Sequence, residues 1–429
     1  MTKNVSDFVE FLNNSPSCYH ATANLEKLVA AAGYTKLYEH EDWTLLPGEK
    51  YYMVRGGTTL IAFRFPRETP IGFMMSASHV DRPTFKVKGE AEPRGKYTRL
   101  YTEGYGGMIM STWMDRPLSV AGRVLVDTEE GVVGKLINVD RDLVLIPNVA
   151  IHMNRQVNDG YKFNPAVDTL PLLGGTGAPG KFQELLEKEA GGKIMGRDLF
   201  LYVREKASVW GIDEEFLSSA ALDDLACAWC CTHAFLKAEE NDRMVPVLIA
   251  FDDEEVGSNS PQGAASTLLA DTLNRICNML KLNPYRMLAQ SFMVSADNAH
   301  AVHPNHPEYA DAYNAPVLGG GVVLKFNANQ RYTTDAISAA VFRKICAKVN
   351  VPVQEYSNRP DIRGGSTLGH ISLTHVSIPT ADVGLAQLAM HSCYETIATA
   401  DLEALEKVMT EYYSTVLEVY KDGGCAIHK

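Results

Sequence analysis

No apolar run in this 429-residue chain reaches the ~18 residues that a membrane-spanning helix needs, so no membrane partner is expected. Positive charge is also scarce. Forty Lys and Arg stand against 52 Asp and Glu, a formal net charge of −12. Phosphate backbones reward clustered cations, so this balance argues against nucleic acid. A single buried cation could still serve an acidic ligand within an acidic protein. Residues Met1 to Asp7 have neither a charged-then-apolar signal pattern nor a small-residue cleavage site, and a cytoplasmic location is expected. The eight cysteines (Cys18, Cys227, Cys230, Cys231, Cys277, Cys346, Cys393, Cys425) lack the spacing of a small secreted framework and are expected to be reduced thiols. Cys227, Cys230 and Cys231 look like half of a zinc ribbon, but the second pair is missing and residues 226–236 read as a buried helix. Internal repeats and low-complexity tracts are absent.

What is there is ample apolar material: 46% of the residues are hydrophobic, enough for a large core in two or three domains. Helical periodicity over 5–12 and 21–32, followed by a strand-like run at 72–78, points to α/β architecture. Between about 93 and 204 the texture changes to short β-like pieces, such as 119–127 and 143–147, separated by Gly and Pro. From Trp210 onward a helix at 225–236, strands at 245–251 and 291–296, and a closing helix near 401–420 restore the alternation. The expected organisation is a catalytic domain over 1–91, a β-rich insertion over 92–205, and the same catalytic domain resumed over 206–429.

Apolar strands repeatedly run into metal-type ligands, which is where open α/β sheets place their sites. The strand period of two puts His79 and Asp81 on one face, with Asp81 placed to take the second ring N–H of His79. Asp223 and Asp224 precede the helix at 225–236; one could cap it, while a second leaves a carboxylate free to bridge metals. The run Asp252-Asp253-Glu254-Glu255 follows a buried strand and ends at Gly257, so it reads less as a solvated face than as a ligand beside an unligated general base. Asp297 ends another strand. His391 taken alone is a core histidine, but it completes a set of two histidines and three carboxylates. That set suits a pair of Zn²⁺, Mn²⁺ or Co²⁺ ions, whose residual positive charge lowers the pKa of a water and polarises a carbonyl. The rival signal is Gly175 to Lys181, which has phosphate-loop spacing. Phe182 stands where Ser or Thr should meet Mg²⁺, and the bland alternative is a loop before a helix at 181–189.

The ordered series His79-Val80-Asp81, Leu222-Asp223, Glu254-Glu255-Val256-Gly257-Ser258, Ser295-Ala296-Asp297-Asn298-Ala299-His300 and Met390-His391-Ser392 is similar to the aspartyl aminopeptidase family, across essentially the whole chain. Further matches are Ile146-Pro147-Asn148 leading to Ile151-His152-Met153-Asn154-Arg155, and the stretch from Lys325 to Tyr332. The resemblance implies a mixed-sheet, zinc-exopeptidase-like α/β catalytic domain with helices on both faces, interrupted by a β-rich dimerisation or lid domain. It implies that His79 and Asp297 hold one metal, that Glu255 and His391 hold the other, and that Asp223 bridges them. Glu254 would be the general base, with Asp81 behind His79. His152 would reach a neighbouring subunit's site, while Lys325, Tyr332 and Met390 would contact the substrate's first residue, preferentially Asp or Glu. The implied partners are small peptides and the chain itself, assembled as a tetrahedral dodecamer. This sequence departs from the family pattern at Val80 (usually Thr), Asp224 (Asn), His370 (Pro) and Tyr394 (Arg), and Asp224 and Tyr394 make the local charge more negative than usual. Two other readings are a related two-metal deacylase or carboxypeptidase, which should lack the His152 and 325–332 motifs, and a non-catalytic assembly shell. Retention of every ligand and of Glu254 argues against the shell.

Overall fold

The computed structural model describes residues 2–241, 243–362, 364–365, 367–420 and 424–428. Strands Met244–Phe251 and Gly72–His79 are buried at every position, as expected of parallel strands covered on both faces. They lie at the centre of a nine-stranded mixed sheet whose spatial order is Thr35–Lys36, Lys50–Arg55, Thr59–Arg64, Met244–Phe251, Gly72–His79, Phe292–Ala296, Thr380–Gly384, Val322–Phe326 and Val353–Ser357. The four strands from Met244–Phe251 to Thr380–Gly384 in that order run parallel.

Strand alternation divides the apolar side chains between two cores. Met74, Leu248, Ala250 and Val294 pack with helices Lys3–Asn13, Cys18–Ala31, Leu222–Lys237, Ala336–Lys348 and Thr399–Tyr413. Phe73, Met75, Val247, Ile249 and Met293 pack with Leu268–Leu280, Pro284–Ala289 and Leu368–Ser372 on the other face. The fold is therefore the α/β class expected, with helices on both sides of a mixed sheet.

A second, antiparallel five-stranded sheet contains Gly131–Asn138, Leu118–Thr128, Ile194–Val203, Thr84–Val87 and Thr102–Tyr105. It has its own core around Phe85, Trp113, Val120, Leu199 and Phe182. Phe182 thus belongs to the interior of this unit, and the Gly175 to Lys181 loop simply leads into helix Lys181–Ala190. A further five-stranded sheet joins Ser208–Trp210, Phe216–Ser219, Glu395–Ala398, Ala386–Leu388 and Ala299–His300. There Ser219 pairs with Glu395, which brings the chain just before Asp223 beside the chain just after His391.

Two expected elements differ. Residues 143–147 form only isolated bridges, from Val144 to Leu118, Leu145 to Leu172 and Ile146 to Met114, because each end is held by a different partner. The closing helix stops at Tyr413 rather than near residue 420. Beyond it Val416–Val419, with its β-branched residues, forms a hairpin with Cys425–His428. All eight cysteines are unpaired thiols, and Cys227, Cys230 and Cys231 are fully buried in helix Leu222–Lys237. No helix among the described residues is long and apolar enough to cross a membrane.

One close approach ties the sheet to the site. A Cβ added to Gly384 would lie 1.9 Å from the carbonyl oxygen of Asp297, whose own N–H donates to Val383 O at 2.9 Å. Gly384→Ala is expected to cost about 1–3 kcal/mol through overpacking, seen as a lower urea midpoint with an unchanged slope. An unaltered midpoint would mean that the Asp297 turn yields freely.

Candidate metal centre

Three of the parallel strands end at the same edge of the sheet, and the site is built there. His79 is the last residue of its strand and pairs in register with Phe251, so Asp81 and the acidic run after Phe251 leave the sheet side by side. Asp297 follows the neighbouring strand Phe292–Ala296. Asp223 lies at the start of helix Leu222–Lys237 in non-helical backbone (φ −85°, ψ 106°), and its peptide bond to Asp224 is cis. His391 follows strand Ala386–Leu388 with a left-handed φ of 65°.

These residues converge. His79, Asp223 and Asp297 form one group of donor atoms within 4.8 Å of one another; Asp223, Glu255 and His391 form another; His79, Glu254 and Glu255 form a third. Asp223 is common to the first two. Its Oδ1 lies 3.4 Å from His79 Nε2, and its Oδ2 lies 3.3 Å from His391 Nε2. Glu255 Oε2 is 3.4 Å from the same His391 nitrogen.

The electrostatics of this cluster favour added positive charge. Burial and the surrounding carboxylates push Glu254 up to about 8 and Glu255 well above its usual range. Asp297 is also raised by burial, although Lys325 works against the shift. Burial would raise Asp223 as well, but the imidazoles of His391 and His79 beside it outweigh that and hold its carboxyl low. Burial works against a charged His391, yet Asp223 beside it lifts the imidazole to about 9. Asp223 Oδ1 and Glu255 Oε1 are buried without a hydrogen-bond partner among the described residues. Buried carboxylate oxygens without a donor, set among imidazole nitrogens a few ångströms away, suit divalent cations, so the residues present fit zinc.

A second layer holds these side chains. Asp81 lies 3.2 Å from His79 Nδ1 and accepts the N–H of Glu254 on one oxygen and that of Glu255 on the other, both at 3.1 Å. The Tyr105 hydroxyl reaches the same Asp81 at 2.8 Å. His391 Nδ1 donates to Gly107 O at 2.6 Å, and Glu395 accepts the backbone N–H groups of Asp223 and His391. Tyr105, Gly107 and Glu395 escaped the sequence reading. A lone acid four residues after His391 was the only signal for Glu395; Tyr105 and Gly107 left none.

Lys325 is 1% exposed and donates to the carbonyls of Asp297 (2.7 Å) and Asn298 (3.3 Å), 5.2 Å from the centre of the Tyr332 ring. Met390 is half-buried beside His391. His152 is exposed in a loop of the inserted segment, and none of the cluster's hydrogen bonds or ion pairs involves it.

Asp224 and Tyr394, which depart from the family pattern, both have polar partners. Burial drives the Asp224 carboxyl well above its usual range while it accepts the His79 N–H at 3.2 Å. The Tyr394 hydroxyl bonds to Ser208 at 2.7 Å.

Histidines and carboxylates gathered at the strand ends of such a sheet define a metallohydrolase. A family model described as Aminopeptidase I zinc metalloprotease (M18) matches residues 11–413. A relative from Clostridium novyi (strain NT), named probable M18 family aminopeptidase 2, is 40% identical over 430 residues, 96% of this chain and 99% of its own. The cryo-EM structure of the Ape4 and Nbr1 complex contains a chain that is 35% identical, with a TM-score of 0.91 over 96% of this chain and 85% of that one. The structure of the S. cerevesiae mApe1 dodecamer shares the fold at 23% identity, with a TM-score of 0.85 over 96% of each chain. The chain belongs to the M18 family of zinc metalloaminopeptidases.

Proposed function

We propose that this metalloaminopeptidase removes an N-terminal Asp or Glu from small peptides and works with two divalent ions, zinc or in its place manganese or cobalt. His79 and Asp297 hold one ion, Glu255 and His391 hold the other, and Asp223 bridges them. The observation that carries this reading is the split engagement of the Asp223 carboxylate, one oxygen toward His79 and the other toward His391. Bound there, the ions supply positive charge that polarises the scissile carbonyl and acidifies the attacking water.

Glu254 is the general base. It takes the proton of the attacking water and returns it to the leaving amine, and its raised affinity for a proton suits that exchange. Asp81 fixes the peptide groups of Glu254 and Glu255 and faces His79. Glu254→Gln is expected to keep both ions while losing about two to four orders of magnitude in kcat, read by metal analysis beside peptide hydrolysis. Persistent activity in that variant, with Glu255→Gln inactive yet fully metallated, reverses the two roles.

Acidic specificity rests on Lys325. Its ammonium donates to two carbonyls and faces Asp297 Oδ2 at 3.6 Å, in a buried setting where charge attraction is strong. Tyr332, whose ring centre lies 5.2 Å from that ammonium, and Met390, next to His391, contact the same first residue. Across dipeptides that differ only in the first residue, Asp and Glu should give the highest kcat/KM. A preference for apolar first residues would instead favour a related two-metal peptidase of different specificity.

The segment 92–205 serves as the dimerisation or lid domain and carries His152 into a neighbouring subunit's site. Support comes from the exposure of His152 and its apolar neighbours Val149, Ile151 and Met153, and from the dodecameric state of one solved protein of the same fold. The assembly proposed is a tetrahedral dodecamer. Its compartment is the cytoplasm, consistent with eight unpaired thiols, and cell fractionation would test it. Mixing His152→Ala with Glu254→Gln subunits should restore activity, because mixed pairs combine an intact His152 with an intact base. Exchange of subunits without any recovery would sink the shared site.

A further inference from the structure

Glu395 belongs to none of the donor groups at the metal centre, yet it is only 1% exposed and both its oxygens are occupied. Oε2 accepts the N–H of Asp223 at 3.0 Å, and Oε1 accepts the N–H of His391 at 2.7 Å. We propose that Glu395 is a positioning residue whose carboxylate clamps the backbones of Asp223 and His391 together and thereby sets the affinity for the ion those two residues share. The inference rests on the ligand assignment above.

Neither N–H can be satisfied by regular structure. Asp223 has non-helical backbone at the head of its helix, and His391 sits at a left-handed φ. A buried donor left without an acceptor is destabilising, so each needs one. A carboxylate offers one to each, and charge-assisted bonds of this kind are stronger than neutral ones. Glu395 is itself held in place: its strand Glu395–Ala398 pairs with Phe216–Ser219, in register through Ser219, and that strand leads directly into the Asp223 segment. The clamp therefore joins two pieces of chain far apart in sequence (|i−j| = 172) across a short, hydrogen-bonded frame. Glu395 lies outside every group of donor atoms close enough to hold an ion, and its two oxygens face backbone N–H groups instead. An amide in its place accepts only one N–H and turns its own N–H₂ toward the other, which pushes Asp223 and His391 apart.

The test uses the full-length protein stripped of metal by chelation and titrated with Zn²⁺ against a chromogenic chelator. Wild type is expected to take up two ions. Glu395→Gln should bind the ion held by both Asp223 and His391 about 10–100-fold more weakly, the range seen when an outer partner of a ligand is lost, and the ion that shares only Asp223 by clearly less, with the unfolding midpoint of the metal-free chain close to wild type. Unchanged affinity for both ions overturns the proposal. Equal weakening of both together with a lowered midpoint also overturns it, since that is what a purely structural residue would give. Amide hydrogen exchange on metal-free wild type gives an answer even if the variant fails to fold: the N–H groups of Asp223 and His391 should already be protected, and rapid exchange of either rejects the clamp. If wild type takes up fewer than two ions, the two-ion reading fails and the exchange measurement alone decides the clamp.

Discussion

Concentrated negative charge away from water is the constraint on which the rest of this structure depends. Asp223, Glu255 and Asp297 meet at one edge of the sheet, with Glu254 beside them. Removing a single ionised carboxylate from water costs several kcal/mol unless a partner compensates, and here several share two imidazoles and one buried ammonium. The result is visible in their proton affinities. Asp223, between both histidines, is held low, while Glu254, Glu255 and Asp297 are driven up. A chain with this arrangement is short of cations at one place, and zinc supplies them.

The same economy governs how the side chains are aimed. Asp81 and Glu395 are buried carboxylates, and each spends its two oxygens on two backbone N–H groups of the site. One fixes Glu254 and Glu255; the other fixes Asp223 and His391. Backbone contacts do what rotamer packing alone would do less firmly, because a peptide group held at its nitrogen restricts the side chain that grows from the adjacent carbon. The parallel register of the central strands makes this possible by ending His79 opposite Phe251, which lets Asp81 reach the turn that carries both glutamates.

Much of this was legible before any coordinates. The fully buried strands wrote themselves as apolar runs, and the acids at their ends stood out because a buried strand has no reason to finish in Asp or Glu. Residues 143–147 and 414–420 misled, since a short apolar run states neither its partner nor its neighbour, and the helix after Thr399 gave way to a hairpin that only Cys425–His428 explains. At the site, residue types announced the donors, but not the second layer. Gly107 acts through its carbonyl, which any residue possesses, and Tyr105 through a fold contact between two sheets. Burial, invisible in a linear chain, also raises the Asp224 carboxyl above its usual range.

The donors are spread from His79 to His391, and the segment that buttresses His391 through Gly107 comes from the second sheet. Contacts of such high sequence separation close late, after the entropy of the long intervening loops has been spent. A partly folded chain therefore has no assembled centre and cannot cut its neighbours. Because zinc binds the finished arrangement and not its scattered parts, free metal draws the folding equilibrium toward the native state, and its withdrawal loosens the region where distant segments meet.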